Sequence, residues 1–188
     1  MVPAPPLPGR IRIIGGQWRG RRLKVRSARE LRPSPDRVRV TLFNWLDRVI
    51  EGASCLDLFA GTGVLGFEAL SRGAQRTVFV ESNRALYEQL REQAAMLNAE
   101  GADIHCMDAF VWLDRHQDTF DIVFLDPPFG TDMAAESCAR ILNSGHLAPG
   151  GLIYVESAAG FQAPEGLEIR KQGRAGRVHY MLLARAGE

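Results

Sequence analysis

The stretch Cys55-Leu-Asp-Leu-Phe-Ala-Gly-Thr-Gly-Val-Leu-Gly-Phe-Glu-Ala-Leu70 decides the fold. It reads as a buried strand over 54–59, a tight turn and the start of a helix over 64–72. Within it, Gly61-Thr-Gly-Val-Leu-Gly66 spells G-x-G-x-x-G, and Glu81 follows about twenty residues on. Glycine suits such a turn because a Cβ would keep a ligand from the backbone, and the helix N-terminus beyond it offers unpaired N–H groups. Taken alone, the match fits a nicotinamide enzyme. The rest of the chain argues otherwise.

Outward from this turn, strands and helices alternate. Strand 76–81 leads to helix 84–99, with Asn83 as its cap and Gly101 as its stop. Strand 104–107 leads to helix 109–115 behind Asp108, and strand 121–125 to helix 133–144 behind Asp132. After Pro149-Gly-Gly151 the pattern changes to three strands, 152–156, 167–172 and 178–184, the last two joined by Gly173-Arg-Ala-Gly176 as an antiparallel hairpin. Repeated βα units with nearly continuous apolar strands predict an α/β fold with a mainly parallel sheet covered on both faces. Upstream, 34–50 reads as an amphipathic helix with Val38, Leu42, Trp45, Leu46 and Val49 on one face, and 11–25 as a β-hairpin or extended arm.

The chain has 188 residues and is 46% hydrophobic, enough for one main domain with a small appendage. The division expected is a disordered proline-rich tail over 1–9, a basic arm over 10–33 and one catalytic domain over 34–188. No apolar run is long enough for a membrane span, and the opening lacks the order of a signal peptide. Cys55, Cys106 and Cys138 lie far apart and the four histidines show no ligand spacing, so free thiols in a reducing cytoplasm are expected and no metal.

Charge is unevenly placed. Arg10 to Arg39 holds eleven basic residues against two acids, a net of +9 in a chain of +1, so the remainder carries −8. A basic arm on an acidic body points to a polyanion. The candidate contacts are Arg10, Arg12, Trp18, Arg19, Arg21, Arg22, Lys24 and Arg32. Arginines would neutralise phosphates, and Trp18 would stack on bases. The plainer alternative is a solvated basic face.

Asp57, Glu81 and Asp108 stand at three successive strand ends, where open α/β sheets bind ligands. A carboxylate at Asp57 would repel a pyrophosphate but suit an ammonium and a sulfonium, the charges of S-adenosylmethionine. The second deciding stretch is Phe120-Asp-Ile-Val-Phe-Leu-Asp-Pro-Pro-Phe129. Two prolines remove N–H donors, so this loop presents acceptors. An exocyclic amine could place one N–H on the Asp126 carboxylate and the other on the Pro127 carbonyl, with Pro128 fixing the turn and Phe129 stacking on the base. These acceptors would turn the nitrogen lone pair toward a methyl donor, a reaction promoted mainly by orientation.

These motifs resemble those of the class I, amino-directed methyltransferases. The wider match, in Arg12-Ile-Ile-Gly-Gly-Gln-Trp-Arg-Gly-Arg-Arg-Leu23, Leu31-Arg-Pro-Ser-Pro-Asp-Arg-Val-Arg39, Leu70-Ser-Arg-Gly73 and Leu147-Ala-Pro-Gly-Gly-Leu-Ile-Tyr-Val-Glu-Ser157, resembles the bacterial 16S ribosomal RNA guanine-N2 methyltransferase family, RsmD. The resemblance covers about 12–185. It implies a seven-stranded Rossmann-like sheet and methylation of one guanine amine in 16S rRNA, within the small subunit or an assembly intermediate; no feature of the sequence demands more than a monomer. It also implies that Asp57, Leu58, Phe59, Ala60, Gly61, Thr62 and Gly63 cradle the methionine part of the cofactor, Glu81 and Ser82 the ribose, and Asp108 with Ala109 the adenine. The segment 32–39, including Arg37, would close over the cofactor or a flipped nucleotide. One departure is Val40, where the family usually has Glu. Rival readings are an adenine-N6 methyltransferase, a non-catalytic RNA-binding assembly factor and, last, the dehydrogenase of the opening motif.

Overall fold

The molecule, a computed structural model, is described for residues 9–25, 36–128, 132–157 and 161–188. Seven strands form one sheet: β3 (Ser54–Asp57), β4 (Arg76–Glu81), β5 (Ala102–Cys106), β6 (Phe120–Leu125), β7 (Leu147–Ser157), β8 (Leu167–Ala175) and β9 (Val178–Arg185). Their spatial order is β5-β4-β3-β6-β7-β9-β8, parallel except for β9, which runs antiparallel to both β7 and β8. The chain winds outward from β3 to β5 on one side and from β6 to β8 on the other. The switch point therefore lies between β3 and β6, where ligands of open α/β sheets bind.

Strand alternation divides the apolar residues between two faces. Phe79, Ile122, Phe124, Tyr154 and Leu182 pack on one face beneath α1 (Asp36–Leu46), α2 (Val64–Ser71) and α3 (Arg84–Leu97). Val78, Val80, Val123, Leu125, Ile153 and Val155 face α4 (Ala109–Arg115) and α5 (Met133–Asn143). With both faces covered, the central strands are mostly apolar between their ends, as the sequence pattern requires.

The basic segment is a hairpin, not an extended arm. β1 (Gly9–Arg12) and β2 (Arg22–Val25) pair antiparallel. Ile11, Ile13, Leu23 and Val25 point inward and join the core cluster of α1 and α2. Ser71 at the end of α2 secures the loop, accepting from Gln17 N on its carbonyl at 2.7 Å and from Trp18 N on its Oγ at 2.9 Å, while its hydroxyl donates to Gly15 O at 2.6 Å. A Cβ on Gly16 would lie 1.7 Å from Ser71 O, so only glycine permits this approach.

Several boundaries differ from the sequence reading. Helix α1 ends at Leu46, which leaves Val49 46% exposed and brings Phe43 and Arg39 into the buried stripe instead. Asn98, left-handed at φ 53°, closes α3 before Gly101 is reached. Asp132 precedes α5 without making a side-chain cap bond. Pro149-Gly-Gly151 lies inside β7, in an irregular stretch between the pairs Phe120–Leu147 and Ile122–Leu152. β8 runs on to Ala175, so the final turn is only Gly176-Arg177. All three cysteines are free; burial pushes the Cys55 and Cys138 thiols up to about 12, whereas Cys106 is half-buried. Among the described residues no helix is long and apolar enough to cross a membrane.

Candidate functional site

Strand β3 delivers Asp57 to the switch point, 2% exposed. Helix α2 begins at Gly63, left-handed at φ 73° and with no side chain to cap it. Asp57 serves that helix from below: its Oδ2 accepts the Gly66 N–H at 3.1 Å. The loop between them is held to both neighbouring strands, because Leu58 N donates to Phe124 O and Ala60 N to Val80 O. Leu58, Ala60, Thr62 and Gly63 are buried, while Phe59 and Gly61 are half-buried. Gly61 has φ 53°, and its N–H donates to Glu81 Oε2 at 2.8 Å. The other Glu81 oxygen accepts Asn83 N at 2.7 Å. Glu81 thus shapes the glycine turn as well as standing at the end of β4. Ser82 beside it is exposed.

Asp108 follows β5 and caps α4, where Oδ1 accepts both Phe110 N and Val111 N. Its second oxygen is not used by the cap. Ala109 behind it is buried. On the other side of the switch point, β6 ends at Leu125 and presents half-buried Asp126, buried Pro127 and exposed Pro128. Phe129 lies outside the described residues. In spatial order, then, Asp108, Glu81, Asp57 and Asp126 stand at or just past the ends of four adjacent strands.

The row has a fifth member that the sequence reading missed. Glu156, near the end of β7, is 3% exposed and accepts the Tyr154 hydroxyl hydrogen at 2.9 Å. The signal was an acid closing the apolar run Leu152-Ile-Tyr-Val-Glu156. Two of the crevice carboxyls, Asp57 and Asp126, resist ionisation. Burial, and secondarily Glu81, lifts Asp57 to about 7 despite the opposing Gly66 hydrogen bond. Burial, then Glu156 and Asp57, holds Asp126 well above the usual carboxylate range. A cationic ligand would relieve both, whereas a pyrophosphate would add to the repulsion. The chemistry of these donors therefore fits a ligand with ammonium and sulfonium charges.

The hairpin presents the opposite character. Arg10, Arg12, Arg19, Arg21, Arg22 and Lys24 are all exposed. In register, Arg10 faces Lys24 and Arg12 faces Arg22, two like-charge pairs directly across the strands. Such pairs destabilise a hairpin on their own and suit a polyanionic partner. Arg12 also lies 3.8 Å from Asp36, and Arg21 donates to Met96 O at 2.9 Å. Arg37 is exposed on the first turn of α1, and Arg32 lies outside the described residues. Trp18 corrects the stacking expectation. Its ring is 9% exposed and belongs to the core, because the turn that carries it is folded onto Ser71.

A buried brace joins hairpin and body. Glu68, 0% exposed, accepts Ile14 N and Gly15 N, both at 2.7 Å, and pairs with Arg72 at 2.8 Å and Arg39 at 3.8 Å. Arg39 in turn donates to Arg12 O at 2.9 Å and Asp36 Oδ1 at 2.6 Å. Arg39 is thus supported by Asp36 and Glu68, while Val40 faces outward at 38% exposure. The signal for this brace was a lone acid inside the otherwise uncharged helix Val64-Leu-Gly-Phe-Glu-Ala-Leu-Ser71.

Comparison with known proteins places these features in context. A family model described as Conserved hypothetical protein 95 matches residues 11–184. Ribosomal RNA small subunit methyltransferase D of Escherichia coli (strain K12) is 44% identical over 183 residues, covering 96% of this chain and 92% of that protein. The Haemophilus influenzae protein of the same name is 39% identical, with 96% and 97% covered. Among solved structures, the Escherichia coli protein yhhF, described as a methyltransferase, superposes with a TM-score of 0.88 at 43% identity, covering 96% of this chain and 100% of that one.

Proposed function

This chain belongs to the family of the ribosomal RNA small subunit methyltransferase D proteins, and we propose that it transfers a methyl group from S-adenosylmethionine to the exocyclic N2 amine of a guanine in 16S rRNA. The observation that carries this reading is the row of acids across the switch point, with Asp57 on one side and Asp126-Pro127-Pro128 on the other. The cofactor would lie across β5, β4 and β3, held by Asp108 at the base, Glu81 at the ribose and Asp57 with the glycine loop at the methionine part. When bound, S-adenosylmethionine supplies the electrophilic methyl group.

The chain's own task is orientation. The Asp126 carboxylate accepts one amine N–H and the Pro127 carbonyl accepts the other. The nitrogen lone pair, otherwise delocalised into the base, is then turned out of the ring plane toward the methyl carbon. Holding reactants in such a near-attack arrangement accounts for much of the acceleration expected of a displacement with no bond to the protein. A guanine inside folded RNA must be unstacked to reach the crevice. The hairpin arginines would meet phosphates and set register, leaving base selection to the pocket. A cytoplasmic monomer acting on a small-subunit particle is the setting we propose.

The test is methyl transfer from labelled S-adenosylmethionine to small ribosomal subunits from cells lacking this gene, beside naked rRNA and duplex DNA. Nuclease digestion then identifies the modified base. N2-methylguanine at one rRNA position is the expected product. N6-methyladenine would replace the guanine assignment, and absence of transfer to every substrate would favour a binding factor.

A further inference from the structure

The crevice contains one carboxyl that the proposed reaction has not yet used. Strands β6 and β7 are parallel, with Leu125 paired to Val155. Glu156 is the next residue of β7 and Asp126 is the first residue past β6, so the strand alternation carries both to the same face of the sheet. We propose that Glu156 is a positioning residue of methyl transfer: its carboxylate, anchored by the Tyr154 hydroxyl, stands beside Asp126 so that Asp126 takes up the proton released by the methylated nitrogen. This inference rests on the amine-methylation reading above.

The step balances as follows. The amine nitrogen bonds to the methyl carbon while the carbon–sulfur bond breaks and its electron pair stays on sulfur. The nitrogen then carries one hydrogen too many, and that proton passes to the Asp126 carboxylate. A carboxylate in water is a poor acceptor at neutral pH; one crowded by a second negative charge in a buried site is a better one. After burial itself, the nearby Glu156 charge does most to hold the Asp126 carboxyl high. Tyr154, itself fully buried, donates to Glu156 and so favours its ionised form. Among the described residues, the groups facing the pair include Asp57 from β3, which adds like charge, and Tyr180, paired with Glu156 from β9. From α1 come Phe43 against Phe124 and Trp45 against Tyr180, neither of which ionises.

Glu156→Gln keeps an acceptor for the Tyr154 hydroxyl and removes the charge. The acid limb of kcat against pH is expected to move down by about one pH unit, with S-adenosylmethionine affinity changed less than about twofold. An unmoved limb would show that Glu156 serves packing alone and would overturn the proposal. Tyr154→Phe should move the limb in the same direction by less. Should Glu156→Gln fold poorly, as a thermal melt would reveal, Tyr154→Phe decides. Base analysis of the product tests the guanine assignment separately. The NMR titration of a carboxyl-labelled Asp126, in wild type and both variants, reports the Glu156 effect without turnover, so an Asp126 titration that does not move in Glu156→Gln overturns the proposal independently of whether the RNA substrate has been identified.

Discussion

The crevice and the hairpin are opposites built from the same material, charge set against apolar packing. In the crevice the acids are carried on or just past the sheet's strand ends, two of them 2% and 3% exposed, and two resist ionisation. On the hairpin the cations point to solvent in facing pairs. Buried like charge stores chemical potential for a small cation and for a proton. Exposed like charge offers long-range attraction without geometric demand. On the proposed function, chemistry is thus kept where water is scarce, and capture where it is plentiful.

The sharpest way to break this comparison is Asp126→Ala. Methyl transfer should fall by about a thousandfold, the upper range for removing a group that orients the reacting atoms. Cofactor affinity, read by calorimetry, should hold. Turnover within tenfold of wild type would detach Asp126 from the reaction. Next in size is Glu68→Ala, which leaves the Ile14 and Gly15 N–H groups without their acceptor and takes the buried carboxylate from Arg72 and Arg39. A loss of about 3–5 kcal/mol in denaturant unfolding is expected. A loss below about 1 kcal/mol would mean that the hairpin does not depend on the brace.

Smaller effects sharpen the contrast. Replacing Arg19, Arg21 and Arg22 by alanine should weaken RNA binding and make the plot of log affinity against log salt shallower by about two. An unchanged slope would reduce the hairpin to a solvated face. The last prediction concerns pH. Asp57 titrates near 7 in the folded protein against an ordinary value of 3.8. Its folded value is raised, so its contribution to stability is fully present below about 3.8 and is lost as pH rises through about 7. Asp57→Asn should therefore melt higher than wild type at pH 8 and level with it at pH 4. Binding of a cation requires the ionised form, so cofactor affinity in the wild type should fall by up to about tenfold per pH unit below 7. A flat profile between pH 5.5 and 8 would separate Asp57 from the ligand's charge.

Much of this was legible from periodicity. The alternating pattern located every strand of the sheet, because central strands covered on both faces have little freedom in composition. Helix 109–115 and strand 76–81 match residue for residue, since a capping Asp108 and a run of β-branched and aromatic residues leave no competing reading. Three kinds of feature escaped. Trp18 was misjudged because a Trp among arginines has the same local pattern whether it stacks on a base or fills a core; only docking onto Ser71 decides. Val49 was misjudged because helical spacing carries on past Leu46, where the backbone turns away. Glu68 and Glu156 escaped because groups that face them, the hairpin N–H groups for Glu68 and Asp126 for Glu156, lie far away in sequence. A lone acid in an apolar run announces that it has partners but does not name them.

The docking of the hairpin sets a schedule for synthesis. The bonds that fix it, from Ile14, Gly15 and Trp18 to Glu68 and Ser71, span 53 to 56 residues of chain. At translation rates of about 5–20 residues per second, the hairpin waits about 3–11 s for α2 to be made. During that interval Ile11, Ile13, Leu23 and Val25 have no core to enter, and two short β-prone runs are open to pairing with other nascent chains. The facing pairs Arg10–Lys24 and Arg12–Arg22 make such pairing unfavourable. The charges proposed to meet RNA in the finished protein thus also act as its gatekeepers while it is still being built.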